Sequence, residues 1–364
     1  MAEIQLASLA HSYLASPSAS EDYAIRQMNH VWEQGGAYAL LGPSGCGKST
    51  LLNIISGLLS PSEGSVRFDG QEVNHLSPAE RNVAQVFQFP VVYDTMSVYD
   101  NLAFPLRNLG KDKATIDTRV REIAAALELD SDLMRRAKNL SADDKQKVSM
   151  GRGLVRDDVS AILLDEPLTV IDPSLKWKLR RQLKRLHQQF NVTMVLVTHD
   201  QLEASTFADK IAVMYQGQIV QNGTPQELFE QPAHTFVGYF IGSPGMNFID
   251  VSLLNGCAEF AGLAMPVDVD IYHAAVSLNT KKIKLGIRPE FVRLHETPEE
   301  GAFDAIVDTI ENLGAYTIVT IKLAGQLLKA RIEEDDWVPV DRVFVSFPVQ
   351  WLKVYADDYL VKTV

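Results

Sequence analysis

Nine residues, Gly42-Pro43-Ser44-Gly45-Cys46-Gly47-Lys48-Ser49-Thr50, constrain this chain more than any other stretch. They stand between an apolar run, Ala37 to Leu41, that reads as a buried strand, and a segment from Thr50 to Ile55 that reads as the start of a helix. The spacing is G-x-x-x-x-G-K-[ST], a phosphate-binding loop. Its glycines let the backbone wrap a polyphosphate where a Cβ would block the approach or forbid the dihedrals. Exposed amides and the helix N-terminus supply positive potential for an anion. Lys48 would reach the β- and γ-phosphates, and the Ser49 hydroxyl would complete a Mg2+ shell. The alternative is a glycine-rich turn with a chance Lys-Ser, and the strand–loop–helix order weighs against it. The loop predicts binding of a nucleoside triphosphate through Gly42, Ser44, Gly45, Cys46, Gly47, Lys48, Ser49 and Thr50.

Two further strand ends supply the rest of such a site. Ser160 to Leu164 is a short apolar run ending in Asp165-Glu166-Pro167. In a doubly wound sheet, ligands gather at the C-terminal edge of the strands. Asp165 can hold Mg2+ through water, and Glu166 can orient or deprotonate the attacking water. Val192 to Val197 is another apolar run, ending in Thr198-His199-Asp200. His199 can contact the γ-phosphate. A lone His after a strand is more often a surface residue, but Lys48, Asp165-Glu166 and His199 on three strand ends argue together.

With these motifs the chain resembles the ATP-binding subunits of ABC transporters over nearly its full length. The resemblance implies further roles. Gln88, in Val86-Phe87-Gln88-Phe89-Pro90, looks like the glutamine that links the metal and attacking water to membrane partners. Asp172 looks like the aspartate that crosses the ATPase dimer interface, and His199 like the switch histidine. Asp172 followed by Pro173 also suits a helix N-cap. Tyr13 sits where the family often stacks an aromatic on adenine, near a Ser/Pro-rich insertion from Ala15 to Ser20. An ordinary half-buried strand tyrosine is the alternative, with Tyr23 as a competing stacker.

One motif departs from the family. Its signature, Leu-Ser-Gly-Gly-Gln before a helix, here reads Leu140-Ser141-Ala142-Asp143-Asp144. In the family this loop reaches across a head-to-tail dimer and caps the γ-phosphate held by the partner. Ser141 remains, but side chains replace glycines, and two carboxylates would lie beside a polyanion, where like charges repel. Acidic residues still suit the first turn of a helix. The expected result is one weakened site per dimer if the second ATPase subunit is a different chain with an intact signature.

Composition bounds the remaining options. With 364 residues, two domains are expected. A net charge of −12 makes nucleic acid a poor partner. Cys46 and Cys257 are the two cysteines, which suits a reducing compartment. Alkylation of Cys46 could block ATP, although its thiol reads as incidental filling. Met1 to Leu14 has no basic leader before a long apolar stretch, and no apolar run is long enough to span a bilayer. Any membrane link is therefore expected through other chains.

Organisation follows the same lines. The expected fold is α/β: an ABC ATP-binding domain at 1–240, with a helical subdomain at about 89–158 that includes Ser97 to Asn108 and Thr115 to Leu129. Leu175, Leu179, Leu183, Leu186 and Phe190 share one helical face, so Ser174 to Phe190 reads as a helix covering the sheet, its Lys/Arg face solvated. Phe240 to Asn247 reads as a Gly/Pro/Ser linker. Short β-rich runs follow at Ile283–Ile287, 305–310, Tyr316–Leu323, 343–347 and 351–355, predicting a small all-β, OB-like barrel at 241–364. Phe240-Ile241-Gly242-Ser243-Pro244 and Leu285-Gly286-Ile287-Arg288-Pro289-Glu290 resemble ATPases of carbohydrate-type ABC importers, whose tail is an OB-like regulatory and dimerising domain.

The expectation is an ATP- and Mg2+-dependent ATPase subunit of a bacterial ABC importer for a sugar or polyol. It resembles maltose and glycerol-3-phosphate importer ATPases, and in its altered signature those of glycerol importers with two different ATPase subunits. The resemblance implies two membrane permease subunits, a periplasmic or lipid-anchored solute-binding protein, and a peripheral place on the cytoplasmic face of the membrane. Glu166, His199 and Gln88 would be catalytic, Ser49, Gln88 and Asp165 would hold the metal, and Tyr13, Ser141 and Asp172 would contact nucleotide. A soluble ABC ATPase acting on ribosomes or DNA, and a non-hydrolysing regulatory subunit, are the competing readings.

Overall fold

The computed structural model describes residues 2–334 and 336–363. The chain divides into two compact units, Met1–Pro225 and Gln226–Val364.

The first unit is built on a six-stranded sheet in the order Gln218–Gly223, Lys210–Tyr215, Ala37–Leu41, Met194–Thr198, Ala161–Asp165 and Val83–Val86. All but the first of these strands pair in parallel. Parallel strands carry layers on both faces, so their sequences are apolar without alternation; every residue of Ala37–Leu41 and of Met194–Thr198 is buried. The register sets Leu41 against Thr198, Asp165 against Val197 and Val86 against Leu164. The segments that leave these strands therefore start side by side on one edge. A four-stranded antiparallel sheet in the order Ile25–Trp32, Ile4–His11, Glu63–Phe68 and Gln71–Glu72 shares a core with the larger sheet through Leu6, Leu40, Leu51 and Val197.

Helices Val98–Asn108, Lys113–Leu127 and Ala142–Leu154 form the helical part of this unit. A Cβ on Gly151 would lie 2.5 Å from Leu102, so glycine permits the close approach of the first and third of them. Ser97 and Asp112 cap the first two, accepting from Asp100 N and from Ala114 N and Thr115 N. The covering helix, Pro173–Phe190, buries Leu179, Leu183 and Leu186, leaves Leu175 and Phe190 half-buried, and also buries Arg180 and His187. The strand expected at Val192 begins at Met194 instead. Thr193 is held before it, its hydroxyl donating to Ala2 O and accepting from Gly35 N.

The second unit holds two antiparallel sheets, one of six strands and one of five, around a common core that includes Ile249, Leu285, Val319, Val343 and Val354. The five expected β runs fall in strands Ile283–Ile287, Phe303–Asn312, Tyr316–Leu323, Arg342–Ser346 and Lys353–Ala356. Strands Asn247–Leu254, Cys257–Phe260, Leu263–Pro266 and Gln326–Glu333, and a helix at Val269–Ser277, come in addition. The expected linker at 240–247 lies wholly inside this unit, which begins at Gln226. Helices Pro225–Glu230 and Thr235–Phe240 are fastened there by Arg288, which is 1% exposed. Its guanidinium donates to the carbonyls of Phe229, Leu228 and Ile241, the last at 2.6 Å, and lies 3.9 Å over the Phe229 ring. Burial pushes its pKa down to about 10. Among the described residues, no helix is long and apolar enough to cross a membrane.

Candidate active site

The phosphate loop joins the central strand Ala37–Leu41 to helix Lys48–Ser56, which begins two residues before the expected Thr50. Gly47 explains the earlier start: it caps the helix at φ +103°, and a Cβ there would meet Ala24 O at 2.5 Å. Gly42 is equally constrained, because its Cβ would lie 2.3 Å from Met214 O. Lys48 is 5% exposed and donates to the carbonyls of Gly42 and Pro43, both at 2.9 Å. The ammonium thus braces the loop it rises from. The first-turn amides of the helix have no acceptor within it, which makes this end attractive to an anion.

The neighbouring strands deliver the carboxylates. Ser49 Oγ donates to Asp165 Oδ1 at 3.2 Å. Burial pushes the Asp165 carboxyl above its usual range and Glu166 adds to this, against the Ser49 hydrogen bond and the Lys48 charge. Glu166 adopts φ +45°, a conformation strained for a residue with a Cβ. Its carboxylate lies 3.2 Å from His199 Nδ1 and accepts from the Thr169 hydroxyl at 3.3 Å. An open cavity of about 420 Å3 is lined by Tyr13, Ser44, Lys48, Ser49, Gln88 and Glu166, among others. Ser49 and Asp165 offer adjacent hard oxygens, the donor set Mg2+ takes while keeping several waters and substrate oxygens; the residues fit that ion.

Tyr13 is 67% exposed and lies beyond the end of strand Ile4–His11, so the reading as a half-buried strand tyrosine is corrected. Its hydroxyl lies 3.1 Å from Thr50 Oγ1, and its ring packs edge-on against His11 at 4.7 Å. Tyr23 instead donates to Glu63 at 2.7 Å and lines an adjoining cavity of about 580 Å3 that Tyr13 also borders. The Cys46 thiol is buried, packs into the core, and is pushed up in pKa by that burial.

Neither Ser141 nor Asp172 is among the lining residues of that cavity. Ser141 caps helix Ala142–Leu154: its Oγ accepts from Asp144 N at 3.1 Å and donates to Asp144 Oδ2 at 2.9 Å. The second Asp144 oxygen pairs with Lys147 at 3.1 Å. Burial raises the Asp144 pKa, but the Ser141 and Lys147 hydrogen bonds outweigh it and hold the carboxyl below its usual range. Asp172 caps helix Pro173–Phe190, accepting from Ser174 N at 2.8 Å, as the Asp-Pro pair suggests. Sequence reasoning missed Thr169 and the buried Glu203. Glu203 accepts from Thr198 Oγ1 at 2.7 Å and so steadies the turn that carries His199. Thr169 stands three residues after Glu166, a spacing that hints at the contact.

The ABC transporter family profile matches residues 25–169, the MalK OB fold domain residues 242–292, and the TOBE domain residues 285–354. The sn-glycerol-3-phosphate import ATP-binding protein UgpC of Vibrio vulnificus (strain YJ016) is 41% identical over 83% of this chain and 80% of its own length. The trehalose/maltose import ATP-binding protein MalK of Thermococcus litoralis is 38% identical over 88% and 91%. The multiple sugar-binding transport ATP-binding protein MsmK of Streptococcus mutans is 37% identical over 94% and 95%. Among solved structures, cbiO1 of Clostridium perfringens, part of an ABC transporter complex, superposes with a TM-score of 0.56 at 25% identity, covering 63% of this chain and 90% of that one. With 37–41% identity to these import ATP-binding proteins over most of its length, the chain belongs to the ATP-binding subunits of ABC importers and is an ATPase.

Proposed function

We propose that this ATPase drives uptake of a small polyhydroxylated solute: a sugar, glycerol or another polyol, or glycerol 3-phosphate. The observation that supports it most is the meeting of Lys48, Ser49 and Glu166 around one cavity, with Asp165 hydrogen-bonded to Ser49 and His199 against Glu166, in a chain whose relatives are named for sugar and glycerol-3-phosphate import. Lys48 binds the β- and γ-phosphates, and the exposed Tyr13 ring offers a platform for the base. Glu166 orients the attacking water and takes its proton, while His199 holds that carboxylate and contacts the γ-phosphate. Ser49, Asp165 and Gln88 would hold Mg2+, which when bound offsets the charge of the phosphates.

The chain works on the cytoplasmic face of the membrane, beside two permease subunits fed by a solute-binding protein. Its second ATPase subunit is a different chain with an intact signature. The engaged state of Ser141 supports this last point, since the site it shares with a partner's phosphate loop is poorly equipped. The test is purification of the full chain from native membranes, followed by solute-stimulated ATP hydrolysis in liposomes. Permeases, a second ATPase chain and stimulation by a polyol or sugar are expected. A homodimer with two fully active sites would overturn the heteromeric part, and no stimulation by any such solute would overturn the rest.

A further inference from the structure

Helix Ala142–Leu154 buries a polar side chain, Gln146, that none of these roles uses. Gln146 is 0% exposed. Its Nε2 donates to Pro167 O at 2.9 Å and to Phe87 O at 3.3 Å. Only the NH2 end of an amide can donate to two carbonyls, so the chemistry fixes its orientation. Phe87 directly precedes Gln88, and Pro167 directly follows Glu166.

The sheet cannot set the spacing of those two segments by itself. The parallel ladder between Val83–Val86 and Ala161–Asp165 ends at the pair Val86–Leu164, before either Gln88 or Glu166 is reached. Past that point, the Gln146 amide takes over as a spacer and spans both chains. Its Oε1 is buried with no partner among the described residues. An apolar side chain would fill the same volume without that unsatisfied oxygen, so packing alone favours something other than glutamine here.

We infer that Gln146 is a positioning residue that fixes the distance between Gln88 and Glu166, an inference that rests on the roles proposed above for those two. Its hydrogen bonds go to Phe87 and Pro167 and not to the phosphate loop or Tyr13, so its loss should disturb the handling of the attacking water and leave nucleotide binding nearly intact.

The experiment measures ATP hydrolysis by the full chain within its purified importer. Gln146→Met keeps the length of the side chain and removes both donors. It should lower kcat at least about tenfold while KM for ATP moves less than about twofold. Val148→Ala, at a 0% exposed position on the same helix, is the control for destabilisation: it should lower Tm comparably and leave kcat within about twofold. If Gln146→Met fails to accumulate, Gln146→Asn serves, because one methylene less cannot span both carbonyls; kcat should again fall with KM held. Glu166→Gln is measured alongside. Unchanged kcat in the Gln146 variants, or a loss matched by Val148→Ala, while Glu166→Gln stops turnover, would overturn the positioning role and leave Glu166 in its own. Normal turnover in Glu166→Gln would instead remove the role on which the inference rests.

Discussion

The hydroxyl of Ser141 and the carboxylate of Asp144 satisfy each other: the serine donates to Asp144 Oδ2 and accepts from the Asp144 amide. The hydroxyl proton that would meet a partner's γ-phosphate is already given away, and a carboxylate that stays ionised at neutral pH stands beside it. Asp144 thus occupies the helix N-terminus as an internal anion. A phosphate arriving there would have to displace it against like charge.

Opening this pair should strengthen the site. Changing Ala142 and Asp143 to Gly, together with Asp144→Gln, is expected to raise ATP turnover or loosen its coupling to transport. The helix start would lose acidic residues worth about 0.3–1 kcal/mol each, a loss the domain should tolerate. Steady-state ATPase with parallel solute uptake reads the result; unchanged turnover and coupling would show that Asp144 does not limit the site.

Lys48→Ala removes a charge-assisted contact worth roughly 1.5–3 kcal/mol, so ATP affinity should fall at least about tenfold and hydrolysis with it. The variant also removes the brace to the Gly42 and Pro43 carbonyls. If the loop of a different second subunit faces the altered signature, as proposed, the same change there should matter much less. Equal losses from the two lysine variants would contradict unequal sites.

Glu166→Gln keeps the shape of the side chain but cannot take the proton of water. Hydrolysis should slow by roughly 10²–10⁴ while ATP still binds, leaving a closed ATPase dimer with trapped nucleotide. Single-turnover measurements and nucleotide retention check this, and rapid hydrolysis would clear Glu166 of its role.

Asp165→Asn should stabilise the nucleotide-free protein while abolishing turnover. Burial holds the Asp165 carboxyl above its unfolded value, so the stability it adds is full below that value and lost as pH rises through the folded one. At neutral pH, the ionised carboxylate therefore works against the fold, and asparagine relieves it. Tm without nucleotide should rise at pH 7, with the gain shrinking as pH falls toward 4; a fall in Tm would show that the Ser49 and Lys48 contacts outweigh burial.

The phosphate loop and the carboxylate strand were legible because their residue types and their place after apolar runs carry the information locally. Gln146 was not, since Asp143-Asp144-Lys145-Gln146-Lys147 reads as a solvated polar run, and nothing in it shows that one of the five turns inward onto two carbonyls. The sequence made visible the charge beside phosphate and the fitness of acidic residues for a first helical turn, but not the mutual hydrogen bonds of Ser141 and Asp144. In the second unit, Asn255-Gly256 carries a hairpin signal, although the expected strands began only at Ile283. Ala261-Gly262 and Ala324-Gly325 carry none, because alanines at φ +49° and +47° defy their own preference and are held there by the pairing of the strands they join.

Arg288 fastens two helices from 47 to 60 residues further along the chain. Until residue 288, which directly follows strand Ile283–Ile287, is in place, the carbonyls of Leu228, Phe229 and Ile241 have no guanidinium to meet. A fragment ending at the Gly/Pro/Ser stretch would retain both helices and lose their fastener, whereas one ending at Pro225 would follow the compact division of the chain. The stretch that reads as a linker in the sequence is thus a poor place to cut.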